Sequence, residues 1–160
     1  MEEKKVLVKN LEVSYKISGS SSQILQDKTW EDKSQPFLIL HGWGSKSDRW
    51  QKIGELLEQK GLKVIIPDLP GFGKSEVPLK AWNLDDYVEW VREFSEQLPE
   101  LKGNFYLLGH SFGGALTAKF SIKYSQKVKK LFLVSAACIR KNTTIKKFLY
   151  KIVSWLSSKI

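Results

Sequence analysis

From Pro36 to Ala137, short runs of consecutive apolar residues alternate with segments whose apolar residues recur at helical spacing. The runs are Phe37-Leu38-Ile39-Leu40, Lys63-Val64-Ile65-Ile66, Phe105-Tyr106-Leu107-Leu108 and Leu131-Phe132-Leu133-Val134. Neighbouring side chains on a strand point to opposite faces, so a run that is apolar at every position must be covered on both sides. Between the runs, Trp50, Ile53, Leu56 and Leu57 mark a first helix. Tyr87, Val88, Val91, Phe94 and Leu98 mark a second, and residues 115–124 a third. Doubly covered strands that alternate with helices predict βαβ units, right-handed crossovers and a mostly parallel sheet with helices on both faces.

The boundaries have local causes. Ser45 and Asp48 read as a capping pair for the first helix, and Gly61 stops it. Pro67 ends the second run, and Asn83 is placed to cap the second helix. Upstream, residues 5–8 and 12–17 read as a hairpin with Lys9-Asn10-Leu11 at the turn. Residues 19–34 are the one polar stretch that fits a long loop.

Composition excludes more than it assigns. A chain of 160 residues, 42% hydrophobic and 27% charged, has ordinary globular usage. A single cysteine, Cys138, removes any internal disulfide framework or multi-cysteine metal site. Val6-Leu7-Val8 is interrupted by Lys9, too short and too charged for a secretory signal, and no apolar stretch is long enough to span a bilayer. A reducing cytoplasm is the expected compartment. The net charge of +9 is unevenly placed: all 17 Asp and Glu precede residue 101, whereas twelve of the 26 Lys and Arg follow residue 100. These basic residues are spread through apolar segments without a longer run, so a solvated basic surface is the reading rather than a nucleic-acid site. Residues 143–160 form a basic amphipathic pattern, with Ile145, Phe148, Leu149, Ile152, Val153, Leu156 and Ile160 on one helical face. Attachment to a membrane surface is the weaker reading of that pattern, and a helix packed over a site the stronger.

Chemistry concentrates at the strand ends. Gly109-His110-Ser111-Phe112-Gly113-Gly114 lies between an apolar run and a helical segment, the context of a G-x-S-x-G nucleophile elbow. So tight a turn requires residues with almost no side chain at Gly109 and Gly113. It lifts Ser111 above the sheet edge and brings the Phe112 N–H toward the same space. His41-Gly42-Trp43-Gly44 follows the first run, where the Trp43 N–H is positioned as a second oxyanion donor. Asp68-Leu69-Pro70-Gly71-Phe72-Gly73-Lys74-Ser75 ends like a phosphate-binding loop, but that motif needs glycine where Asp68 stands, so phosphate cradling is rejected. Asp68 reads as a brace for its own loop.

Taken in order, H-G-W-G, D-L-P-G-F-G-K-S, G-H-S-F-G-G and L-F-L-V-S-A-A resemble the α/β-hydrolase family over residues 36–137. The resemblance implies an α/β-hydrolase-like sheet and a serine hydrolase acting on an ester or related acyl bond. Ser111 would be the nucleophile, with Trp43 and Phe112 as the oxyanion hole and His41, Gly42, Gly109, His110 and Gly113 as supporting residues. It implies no metal and no organic cofactor, and a small-molecule acyl substrate. Members with aspartate at the elbow, the haloalkane dehalogenases and epoxide hydrolases, are disfavoured by Ser111.

One departure stands out. The family order is serine, then acid, then histidine, yet no Asp, Glu or His follows Ser111. His110 is expected to point away from the serine hydroxyl, and His41 to sit at the base of the oxyanion loop. Residues 1–138 are therefore expected to be the N-terminal part of a hydrolase core whose C-terminal strands are missing, and residues 139–160 the start of a cap helix. The alternative is a non-catalytic binding module. Oligomeric state is left open.

Overall fold

A computed structural model describes residues 1–19 and 35–137. Strands β1 (Glu2–Val8) and β2 (Leu11–Ile17) form an antiparallel hairpin. Its turn is the pair Lys9-Asn10, with φ of 52° and 59°, the doubly left-handed conformation that matches the twist of a two-residue hairpin. Leu11, expected in the turn, is the first residue of β2.

Strands β3 (Phe37–Leu40) and β4 (Val64–Pro67) flank helix α1 (Gln51–Gln59). Helix α2 (Leu84–Gln97) leads to β5 (Phe105–His110), and α3 (Phe112–Lys123) to β6 (Val128–Val134). The six strands lie in the order β1-β2-β4-β3-β5-β6. β3 pairs in parallel with β4 and with β5, and β5 with β6, whereas β2 joins β4 antiparallel. The mostly parallel sheet is thus extended on one side by the hairpin.

The two faces are two cores. Leu38, Leu40, Ile65 and Leu107 pack beneath α2 and α3 with Val88, Phe94, Leu116 and Phe120. Phe37, Ile39, Val64, Ile66 and Tyr106 face the other way, toward Trp50 and Leu57. Every residue of β3 and β4 is buried, which is why those runs carry no polar residue.

The ends of α2 and α1 differ in kind. Asn83 closes a capping box on α2: its side chain accepts from the Asp85 and Asp86 N–H groups, while the Asp86 carboxylate accepts from the Asn83 N–H at 2.8 Å. The expected Ser45–Asp48 cap does not form. A 3-10 turn, Ser47–Trp50, precedes α1 without any side-chain cap. Asp48 instead takes ion pairs from Lys16 at 3.0 Å and Lys46 at 2.9 Å, because the hairpin brings Lys16 within reach. Gly61 follows α1 at φ 83°, its N–H donating to the Glu58 carbonyl. Cys138 and the basic tail, with the cap helix expected there, lie outside the described residues, as does most of the expected 19–34 loop.

Candidate active site

The parallel part of the sheet starts at β3, steps outward to β4, then returns past β3 to build β5 and β6 on its other side. The connections leaving β3 and β5 therefore diverge, and a crevice opens between their carboxyl ends. His41-Gly42-Trp43-Gly44 and Ser111 stand at those two ends.

Ser111 occupies a turn at φ 53° and ψ −114°. Such a backbone conformation costs about 1–3 kcal/mol for a non-glycine residue and survives only when its surroundings over-determine it. Here they do. The Ser111 N–H donates to the Val134 carbonyl at 3.0 Å, and the Ser111 carbonyl accepts from Ala115 at 3.2 Å and Ala137 at 2.9 Å. The flanking glycines are required by contact. A Cβ at 109 would run into the Gly113 carbonyl and the Thr117 hydroxyl, and one at 113 into the Leu40 and His41 carbonyls. Phe112 is the first residue of α3, so its N–H is among those without an acceptor inside the helix.

The loop after β3 meets this elbow. A Cβ on Gly42 would come within 3.2 Å of the Ser111 Cβ and 3.1 Å of His110 Nδ1. The loop turns at once, with the Ser45 N–H donating to the Gly42 carbonyl at 3.1 Å and Gly44 at φ 68°. The Trp43 indole stays 68% exposed. It stands edge-on to Phe72, with ring centroids 5.0 Å apart, and to Phe112 at 5.2 Å. Tyr87 meets Phe112 from the other side at 5.3 Å. Sequence periodicity assigns Tyr87 to the core, and nothing local to Phe72 marks it as a neighbour of Trp43. Both reach the elbow only through the strand order.

Neither histidine is disposed to act on Ser111. His41 is fully buried. Its Nε2 accepts from the Leu69 N–H at 2.9 Å, so Nδ1 carries the proton and donates to the Gly42 carbonyl at 2.8 Å. Burial pushes its pKa below the ordinary 6.5, against smaller opposing effects from that hydrogen bond and from Asp68. His110 is half-buried, with its ring 5.6 Å from that of Trp50, on the α1 side of the sheet.

Asp68 braces its own loop, as expected, and also the connection between β3 and α1. One carboxylate oxygen accepts from the Ser47 N–H at 2.6 Å and the other from the Lys74 N–H at 2.8 Å. The Ser75 hydroxyl donates to the Asp68 carbonyl and accepts from the Ser14 N–H. With the Lys74 N–H committed to a carboxylate, this loop is no phosphate cradle. Beside it, Asp48 is held down to about 2, by Lys46 first and Lys16 second. Among the described residues, no three of His, Cys, Asp and Glu come together to hold a metal ion. No helix among them is long and apolar enough to cross a membrane.

Comparison with known proteins follows the same lines. Residues 35–158 match the sequence profile of the alpha/beta hydrolase fold. The chain is 34% identical over 131 residues to Lipase 1 of Psychrobacter immobilis, covering 80% of this chain and 40% of the relative. It is 36% identical over 102 residues to the pimeloyl-[acyl-carrier protein] methyl ester esterase of Pseudoalteromonas atlantica, covering 63% of this chain and 37% of that one. Among solved structures, a membrane phospholipase A superposes with a TM-score of 0.70 at 28% identity, over 84% of this chain and 39% of that chain. The chain thus spans about 40% of the length of these three relatives.

Proposed function

The chain belongs to the alpha/beta hydrolase fold family, and on that premise we propose that it contributes the nucleophile and the oxyanion hole of an ester hydrolase. One observation carries the reading: a serine held at φ 53° between β5 and α3, against a glycine of the β3 loop. The names of the relatives, a lipase and a methyl ester esterase, support the ester class.

In this reading Ser111 Oγ attacks the acyl carbon, and its proton passes to a general base. The Phe112 and Trp43 N–H groups stabilise the negative charge that develops on the carbonyl oxygen. The tetrahedral intermediate collapses, the C–O bond to the alcohol breaks, and the proton is returned to the departing alkoxide. Water then repeats the sequence on the acyl-enzyme and releases the carboxylic acid. The substrate is a small-molecule ester and no cofactor takes part.

Neither histidine of the chain is disposed to act as that base. His41 uses both ring nitrogens, His110 packs on the α1 side, and no Asp, Glu or His follows Ser111. On this reading the described residues supply neither the acid nor the base of the reaction. Loss of the base from a serine triad costs about 10⁶ in kcat. The isolated chain is accordingly expected to show little or no p-nitrophenyl ester turnover, and turnover that Ser111→Ala abolishes would overturn that reading. The nucleophile is tested separately with an alkyl fluorophosphonate, the site of attachment being mapped by mass spectrometry. Slow, single-site attachment at Ser111 is expected. Attachment spread over exposed serines would refute the role of Ser111. The missing base also favours a second reading, a binding module that holds an acyl ligand without turning it over, and labelling of Ser111 discriminates against it.

A further inference from the structure

Residues 76–82 run as a strap between the Trp43 loop and the hairpin turn. Its first end is tied to the hairpin: the Glu76 N–H donates to the Glu12 carbonyl at 3.0 Å, and the Glu12 N–H to the Glu76 carboxylate at 2.6 Å. Its other end runs into the Asn83 cap of α2. Between these anchors the strap holds apolar side chains out in water, Val77 at 73% and Leu79 at 102% exposure.

Two hollows border it, of about 410 and 600 Å³, each within the ~300–1,000 Å³ usual for small-molecule sites. Both are lined by Val77, Pro78, Leu79, Lys80 and Trp82. The first also includes Trp43, Phe72 and Tyr87, and the second Asn10 and Leu11 at the hairpin turn. Trp43 and Tyr87 each stand edge-on to Phe112, the residue after Ser111. The two hollows share the side chains of the strap, so a largely apolar surface runs from Trp43 and Tyr87, which touch Phe112, along the strap to the tip of the hairpin.

We propose that this track binds the linear aliphatic acyl chain of the ester substrate, with Leu79 the specificity-determining residue for chain length. The inference rests on the ester reading for what the bound chain is attached to. The chemistry of the walls selects an aliphatic occupant over a peptide or a sugar. Three polar groups along the track are engaged: the Glu76 carboxylate by the Glu12 N–H, the Tyr87 hydroxyl by the Pro70 carbonyl at 3.0 Å, and Lys9 by Glu93 at 3.6 Å; Lys80, on the wall of both hollows, has no such partner among the described residues. Apart from the Lys80 ammonium, the walls offer aromatic edge and alkyl surface. Their attraction for a ligand grows with apolar area, up to about four-fold in affinity for each methylene that becomes fully buried.

The test measures binding and needs no turnover. The full chain is titrated with bromine-labelled stearate, whose bromine quenches tryptophan emission on contact, and the complex is challenged with decanoate or hexanoate. Saturable quenching is expected, with hexanoate at least ten-fold weaker than decanoate as a competitor. Leu79→Asp and Val77→Asp, both at exposed positions, weaken binding about ten-fold. Leu79→Phe, which keeps the wall apolar but bulkier, shifts the preference toward shorter acids. Trp155→Phe leaves the quenching in place. Quenching that does not saturate, that survives both aspartate variants, that vanishes with Trp155, or that hexanoate reverses as well as decanoate overturns the proposal. The two readings fail separately. Chain-length-dependent binding with attachment spread over other serines keeps the track and rejects the nucleophile, and single-site labelling of Ser111 without such binding does the reverse.

Discussion

Gly42 and Ser111 are separated by 69 positions in sequence, yet a single methyl group on Gly42 would press on the Ser111 Cβ at 3.2 Å. The closeness lets the backbone of the β3 loop approach whatever Ser111 holds. Gly42→Ala is expected to fold with nearly unchanged thermal stability, since the neighbours need give only a few tenths of an ångström. It should nevertheless slow fluorophosphonate attachment at Ser111 by about ten-fold or more, given that a lost oxyanion donor costs ~10²–10³ in rate. Attachment at the wild-type rate would detach the loop from the chemistry.

The turn at Ser111 stores strain. Ser111→Gly removes the side-chain penalty at φ 53° and is expected to raise the unfolding free energy by about 1 kcal/mol, while eliminating covalent labelling. Gly109→Ala has the opposite sign. Its methyl group has no room between the Gly113 carbonyl and the Thr117 hydroxyl, and a loss of about 3–5 kcal/mol is expected. Urea unfolding of the three proteins ranks them.

His41 makes stability depend on pH. Its folded pKa lies below the ordinary 6.5 because the ring is buried, so the unfolded chain binds the proton first as pH falls. Its contribution is complete above about pH 6.5 and is lost progressively below that value. Protonation would also put an N–H on Nε2, where the Leu69 N–H now donates. The expected result is a decline in Tm from pH 7 to pH 5 that is shallower in His41→Gln. An equal slope in both proteins would assign the effect to other groups.

Glu89 carries the opposite case. Its carboxylate accepts from Lys123 at 2.6 Å, from the Tyr124 hydroxyl at 2.7 Å and from Arg92 at 3.2 Å, joining α2 to α3. Lys123 first and Tyr124 second hold its pKa down to about 2, against an ordinary 4.5. The contribution is present above pH 4.5 and disappears as pH falls toward 2. Glu89→Gln is expected to lower Tm by a few degrees at pH 7 and to converge with the wild type near pH 2. A gap that persists at pH 2 would indicate a packing role instead.

What the sequence by itself determined was local. The four apolar runs, the three helices, the Asn83 cap and the glycines around Ser111 are legible because each reflects preferences acting over a few residues: side-chain period, capping chemistry and the space inside one turn. The Ser45–Asp48 cap failed for the same reason. Asp48 is drawn to Lys16, 32 positions upstream, and no local pattern announces that pairing. Tertiary structure alone decided the order β1-β2-β4-β3-β5-β6, and with it the crevice between β3 and β5. It set Leu69 against His41, which takes that histidine out of acid–base work, and laid the 76–82 strap against the hairpin tip. These are contacts between segments tens of residues apart. They depend on which side of β3 each crossover lands, and that choice is made by burying both faces of the sheet at once.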